Sequence, residues 1–199
     1  MINNCKYDYS THLPLLRAVM DNIKPAFVLE LGTGIHSTPV LSKGNYLGIE
    51  NDLEWMAEVN KACQAKIIHQ PTDIDISTPL RALTEAQQKE ITDYYNSLVI
   101  PDVLPRFLFV DNYTGFRTLA INALKEKFDF IAYHDCEPAG IAWYDYDRLD
   151  KRGYYSYYIC SPSSWTCLMS RRAVELPMDN YIKEYLKEWP ACNYLTYVT

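Results

Sequence analysis

The chain has 199 residues, 48% of them hydrophobic, and 19 basic against 25 acidic side chains give a net charge of −6. A length of this order suits a single domain with a sizeable core, and acidic charge spread without blocks argues against a nucleic-acid footprint. No apolar run approaches the roughly 18 residues of a membrane span, and no basic segment leads into an apolar stretch at the start. Neither a membrane partner nor a cleaved secretory signal is expected. Cys5, Cys63, Cys136, Cys160, Cys167 and Cys192 are widely spaced with no C-x-x-C pair. They read as reduced thiols of a cytoplasmic protein rather than as a zinc site or a disulfide framework.

In chain order, Ser10 or Thr11 is placed to cap a first helix that runs to about Ile23 and is ended by Pro25. Phe27 to Leu31 reads as a buried strand, Thr33 to Ile35 as a turn, and Thr38 to Ser42 as the first turn of a helix. A second strand is expected at Tyr46 to Glu50, a helix at Leu53 to Ala62 and a third strand at Lys66 to His69. Leu80 to Leu98 reads as one long polar helix. Arg106 to Asp111 and Phe128 to Asp135 follow as fourth and fifth strands around a helix at Arg117 to Lys127, and Tyr154 to Cys160 with Thr166 to Ser170 as a closing hairpin. This alternation predicts an α/β fold: a Rossmann-like, mostly parallel sheet of about seven strands, helices on both faces, ending in an antiparallel hairpin. A single domain over 1–199 is expected, with a helical insertion at about 78–100 and a C-terminal helix at about 178–189. On that last helix Tyr181, Tyr185, Leu186 and Trp189 share a face. Packing on the chain's own domain is the first reading, and a homodimer contact the second.

The segment richest in chemistry is Leu29-Glu-Leu-Gly-Thr-Gly-Ile-His-Ser-Thr38, a strand running through Gly-x-Gly into a helix. Gly32 permits a sharp turn, Gly34 permits close backbone approach by a ligand, and Ser37 stands where a dinucleotide loop would carry its third glycine or alanine. Eighteen residues past Gly32, Glu50 closes the second strand, where a carboxylate can accept both hydroxyls of an adenosine ribose. An incomplete glycine set suits a nucleoside better than a pyrophosphate. With Glu30 inside the approach, the pattern resembles the class I S-adenosylmethionine (SAM)-dependent methyltransferases. The resemblance runs from about Lys24 to Ser170 and is most specific at Glu-Leu-Gly-Thr-Gly and Gly-Ile-Glu. It implies that Glu30, Gly32 and Gly34 surround the amino-acid end of SAM, that Glu50 holds the ribose, and that Asp73, with Asp75 as an equal rival, lies on the adenine side; Ser37 is a further cofactor-binding candidate on the same loop.

A second constellation joins Asp111, Asn112, Gly115, Phe116 and Arg117 to His134, Asp135, Cys136 and Glu137. Both segments are polar breaks at strand ends, where open α/β sheets bind ligands. Asp111 and Asp135 can share a divalent cation such as Mg²⁺ that lowers the pKa of a substrate hydroxyl. His134 is the alternative base. The candidate catalytic residues are therefore Asp111, His134, Asp135 and Arg117, with Asp111 and Asp135 as metal ligands. This arrangement is similar to metal-assisted O-methyltransferases of catechols and sugars, and to plant polysaccharide O-methyltransferases. It departs from them where Cys136, a poor Mg²⁺ ligand, follows Asp135. His36 reads as a solvated loop residue, His12 and His69 as structural. The aromatics of Trp143 to Tyr146 and Tyr154 to Tyr158, with Trp165, divide between core and acceptor pocket. Together these features imply methyl transfer to a hydroxyl of a small molecule or sugar. The alternatives are an NAD-dependent oxidoreductase and a non-catalytic binder of an adenosyl ligand.

Overall fold

A computed structural model of the chain describes residues 10–161, 163–188 and 195–198. Cys5, Trp189 and Cys192 lie outside the described residues. The helices are α1 (Leu13–Asn22), α2 (Thr38–Leu41), α3 (Leu53–Ala62), α4 (Glu85–Ser97), α5 (Arg117–Leu124), α6 (Pro138–Trp143) and α7 (Met178–Glu188). The strands are β1 (Phe27–Leu31), β2 (Tyr46–Glu50), β3 (Ile67–His69), β4 (Arg106–Val110), β5 (Phe130–His134), β6 (Tyr155–Cys160), β7 (Trp165–Ser170) and β8 (Leu195–Val198). They form one sheet in the order β3-β2-β1-β4-β5-β7-β6-β8. β1 to β5 pair in parallel, while β7, β6 and β8 pair antiparallel. The chain thus adopts the expected Rossmann-like architecture, extended by an eighth strand on the hairpin's free edge. A four-residue edge strand is too short to show an alternating pattern, so β8 was not foreseen.

Alternation along the central strands splits the core between the two faces of the sheet. Val28, Phe107, Phe109, Phe130 and Ala132 face α1, which buries Leu15, Leu16 and Val19 completely against them. Leu29, Leu31, Leu108, Val110, Ile131 and Tyr133 face the other way, onto Ile91 and Tyr95 of α4 and Ala120, Ile121 and Leu124 of α5. Each fully buried aliphatic side chain contributes about 1.5–3 kcal/mol. Three on one short helix fix α1 firmly, and with it the residues at its N-terminus.

Two local expectations differ from the structure. Neither Ser10 nor Thr11 caps α1: His12 occupies the N-cap without a side-chain cap bond. Ser10 Oγ instead meets Tyr185 Oη at 2.7 Å, and Thr11 Oγ1 meets His134 Nε2 at 2.9 Å. Long-range partners win over the local cap. The helix expected over Leu80 to Leu98 breaks at Thr84, whose hydroxyl starts α4 through a capping box with Gln87. The aromatics from Trp143 to Tyr146 leave α6 into a 3-10 turn, with Trp143 exposed and Tyr146 buried.

Candidate active site

In the sheet, β1 lies between β2 and β4, so successive connections leave in opposite directions and open a crevice beyond the strand ends. Gly32 makes the turn there in the left-handed region (φ +79°). A Cβ on it would stand 2.4 Å from Asp111 O and 2.5 Å from Asn112 N. The close approach that requires glycine is therefore to the end of β4, which joins the two candidate constellations.

On the β1–β2 side the acids turn inward. Glu50 Oε2 accepts from Thr33 N (2.8 Å) and Thr33 Oγ1 (3.1 Å), and Oε1 from Asn51 N (2.8 Å) and Asp52 N (3.0 Å). Four bonds fill the accepting capacity of a carboxylate. Glu50 is 4% exposed, and burial pushes its carboxyl above the ordinary value. Glu30 is fully buried and accepts from Thr38 Oγ1 (2.8 Å) and Tyr46 Oη. Desolvation pushes its carboxyl up to about 7. Gly34 N donates to Thr38 Oγ1 (3.0 Å), and Ser37 is buried beneath the same bend. The Trp55 indole reaches from α3 across to Thr33 O at 2.6 Å, bridging the bend and the end of β2. Asp73 lies exposed on the loop after β3, and Asp75 is engaged by Ser77.

At the ends of β4 and β5 the acids turn outward. Asp111 and Asp135 have 24% of their side chains exposed, with the buried Arg117 behind them. Arg117 Nη2 meets Asp111 Oδ1 at 2.8 Å, and Nη1 meets Asp135 Oδ2 at 2.9 Å. Nε donates to Asn112 O (2.7 Å), and the Tyr144 ring covers the guanidinium at 4.0 Å. This places Arg117 as the tie between two strand ends. His134 is buried with Nε2 at 3.0 Å from Ser164 Oγ, and Nδ1 3.5 Å from Asp111 Oδ2 and 3.4 Å from Asp135 Oδ1. Asp135 sits in the left-handed region (φ +57°), a conformation that aspartate tolerates better than most residues. Gly140 makes room for it: a Cβ there would meet Asp135 O at 1.9 Å.

Burial disfavours charge on Asp135, but His134 and Arg117 outweigh it and hold the carboxyl well below the usual range. Burial likewise pulls His134 down, and the carboxylates of Asp135 and Asp111 more than reverse it. His12 has no such balance. It is 2% exposed, neither ring nitrogen has a partner among the described residues, and burial lowers its pKa to about 3. Its ring lies edge-on to His134 at 4.8 Å and against Phe109 at 5.2 Å.

Gly32, Asp111, Arg117, His134 and Asp135 thus meet at one place, with Glu30, Ser37 and Glu50 beneath or beside the glycine bend. Cys136 packs into the core, and His69 Nε2 meets Asn51 O at 3.0 Å. His36 is half-buried on the bend, where burial lowers its pKa. Sequence reasoning missed Thr11, His12, Trp55, Gly140, Tyr144 and Ser164. Only the helical spacing of Leu16 and Val19, which places the start of α1 over the sheet, hinted at His12. Two surface hollows, beside Arg172 to Leu176 and around Leu104 to Arg106, open at the opposite end of the sheet.

The fold is that of class I methyltransferases. An O-methyltransferase from Bacillus cereus in complex with S-adenosylhomocysteine (SAH) superposes with a TM-score of 0.53 at 12% identity, over 80% of each chain. The 23S rRNA methyltransferase ErmE gives 0.50 at 13% identity, over 81% of this chain and 67% of its own. A Legionella pneumophila protein gives 0.53 at 10% identity, over 97% and 96%. No family model and no curated protein matches the sequence. No helix among the described residues is long and apolar enough to cross a membrane.

Proposed function

We propose that the chain is a SAM-dependent methyltransferase that methylates a hydroxyl of a small molecule or sugar. The observation that carries this reading is the convergence at the strand reversal of a glycine bend bonded to Glu50 with the partly exposed Asp111 and Asp135. SAM supplies an electrophilic methyl group when bound. Glu50 would hold the ribose by exchanging its longest bond, from the Thr33 hydroxyl, for the sugar's hydroxyls. Trp55 would give up Thr33 O as the nucleoside fills the gap between β1 and β2. Glu30, Gly34, Ser37 and Thr38 keep the bend rigid from below, and Asp73 stands on the adenine side.

At the acceptor end, both Asp135 oxygens are taken, one by Ser164 and one by Arg117 and Tyr144, and its depressed pKa makes it a weak base. Asp135 therefore orients. His134 turns Nδ1 to the carboxylates and Nε2 to two hydroxyls, so it is poorly placed to take a proton from an acceptor itself. Asp111 Oδ2, uncommitted to Arg117, is the oxygen open to an acceptor's proton or to a cation. A divalent cation held by Asp111 and Asp135 would lower the pKa of the acceptor hydroxyl. The work of the protein is orientation and exclusion of water. The net charge of −6 and the acidic rim favour a small acceptor over RNA.

Isothermal titration tests the cofactor: SAH is expected to bind with one site per chain, whereas thermal stabilisation by NAD alone would favour an oxidoreductase. Incubation with methyl-labelled SAM and a panel of hydroxylated sugars and phenols, read by mass spectrometry, then tests the reaction. Copurified ligand identified in the same way would name the acceptor.

A further inference from the structure

The Ser164 hydroxyl has one proton, and at 2.7 Å it gives it to Asp135 Oδ1. Towards His134 Nε2, 3.0 Å away, Ser164 can then only accept, which places the ring proton on Nε2. In the neutral ring Nδ1 therefore carries a lone pair, aimed between carboxylate oxygens at 3.4 and 3.5 Å. A lone pair facing two anions is repulsive unless a cation stands between them. Two ligand atoms each about 2.1 Å from a metal ion lie about 3.4 Å apart at the tetrahedral angle and about 3.0 Å apart at a right angle. The separation of His134 Nδ1 from Asp111 Oδ2 is close to the former.

His12 distinguishes a metal ion from a proton as that cation. It is a buried imidazole with no hydrogen-bond partner at either nitrogen among the described residues, an arrangement that burial makes costly. Ligand atoms of His12, Asp111 and His134 all lie within 4.8 Å of one another, and a proton shared by His134 and the carboxylates would leave His12 unused. α1, locked by its buried leucines, holds the His12 ring in place, and Thr11 beside it supports His134 Nε2. Arg117 already offsets one of the two negative charges.

We infer that His12, Asp111 and His134 form a binding site for a borderline-soft divalent transition ion of the Zn²⁺ type, with Asp135 beside it. Two imidazoles and one carboxylate select against Mg²⁺, which prefers oxygen ligands. The ligand set differs from the oxygen pair expected from sequence by recruiting α1. The solvent-facing quarter of the Asp111 side chain leaves coordination positions open to water or an acceptor oxygen. The site stands on its own geometry and not on the reading of methyl transfer: a chain that failed to bind SAH would still hold the ion.

The test uses the full chain stripped with chelator. Titration with Zn²⁺ and with Co²⁺ is expected to show one site per chain, with Co²⁺ giving the visible absorption of a low-coordinate nitrogen–oxygen site, and millimolar Mg²⁺ failing to compete. His12→Gln and Asp111→Asn are each expected to weaken Zn²⁺ binding by more than about ten-fold. In ¹⁵N-histidine spectra of the wild type, Zn²⁺ should shift the rings of His12 and His134. That spectrum decides the matter even where a variant does not fold. Absence of binding by the wild type, equal competition by Mg²⁺, undiminished affinity in both variants, or shifts confined to His36 and His69 would each overturn the inference.

Discussion

The two halves of the sheet's C-terminal rim use the same residue type, an acid at a strand end, to opposite effect. At β1 and β2, Glu30 and Glu50 lie buried among neutral donors, and desolvation pushes both carboxyls up. At β5, Asp135 is also largely enclosed, yet Arg117 and His134 drive it down, and a quarter of its side chain meets solvent, as does that of Asp111. The difference is the presence of a cation. One half holds its acids inside the scaffold of the glycine bend, and the other tethers them from behind while leaving them partly open in front. Under the proposed function, that division would give the rim one rigid cradle and one reactive end.

Removing the tether should have the largest effect. Arg117→Met leaves two carboxylates facing each other over a buried apolar chain, and loss of one partner from a buried ionic network costs about 3–5 kcal/mol. Urea unfolding at neutral pH measures it, and a loss below about 1 kcal/mol would show that the two halves do not differ as described. Next is Glu30. Its carboxyl ionises near 4.5 in the unfolded chain and near 7 in the folded one. Below pH 4.5 it is neutral in both states, and through pH 4.5–7 the unfolded state alone releases the proton. The resulting penalty on folding grows across that window and is complete above it. Glu30→Gln should therefore be more stable than the wild type at pH 8, by an amount on the order of 3 kcal/mol, with the gain gone near pH 4. Thermal unfolding at the two pH values checks this, and a destabilised variant at pH 8 would reverse the sign assigned to the β1 half.

A smaller effect is expected at the bridge over the cradle. If nucleoside binding displaces the indole from Thr33 O, Trp55→Phe has no such bond to surrender and should bind SAH more tightly, by about 1 kcal/mol, the net value of one hydrogen bond. Weaker binding by the variant would place Trp55 among the ligand's own contacts. In the wild type the indole fluorescence should change as SAH is added, a change absent from Trp55→Phe.

The cradle was the more legible half. A glycine turn and a strand-end acid are local signals, and Leu29 to Thr38 and Glu50 carry them on consecutive strands, eighteen residues apart from Gly32 to Glu50. The opposite half is assembled from α1, β4, β5 and the turn before β7, so Thr11 and His12 come from more than a hundred residues before His134, and Ser164 from the turn leading into the strand next to β5. No local pattern distinguishes His12 from a packing residue, because its role depends on which strand end α1 covers. Backbone detail was equally hidden: Gly140 reads as an ordinary helix glycine until Asp135 O is found against it. The strands up to β7 and most helices were readable from periodicity, whereas α6, the break at Thr84 and the short terminal strand were not.

The central claim is that the β1–β2 cradle takes a nucleoside through Glu50. Isothermal titration of SAH into the wild type and Glu50→Gln tests it most directly: one site per chain in the wild type, weakened by about ten-fold or more in the variant. No heat of binding from the wild type at millimolar SAH, or the same affinity in both proteins, would contradict it.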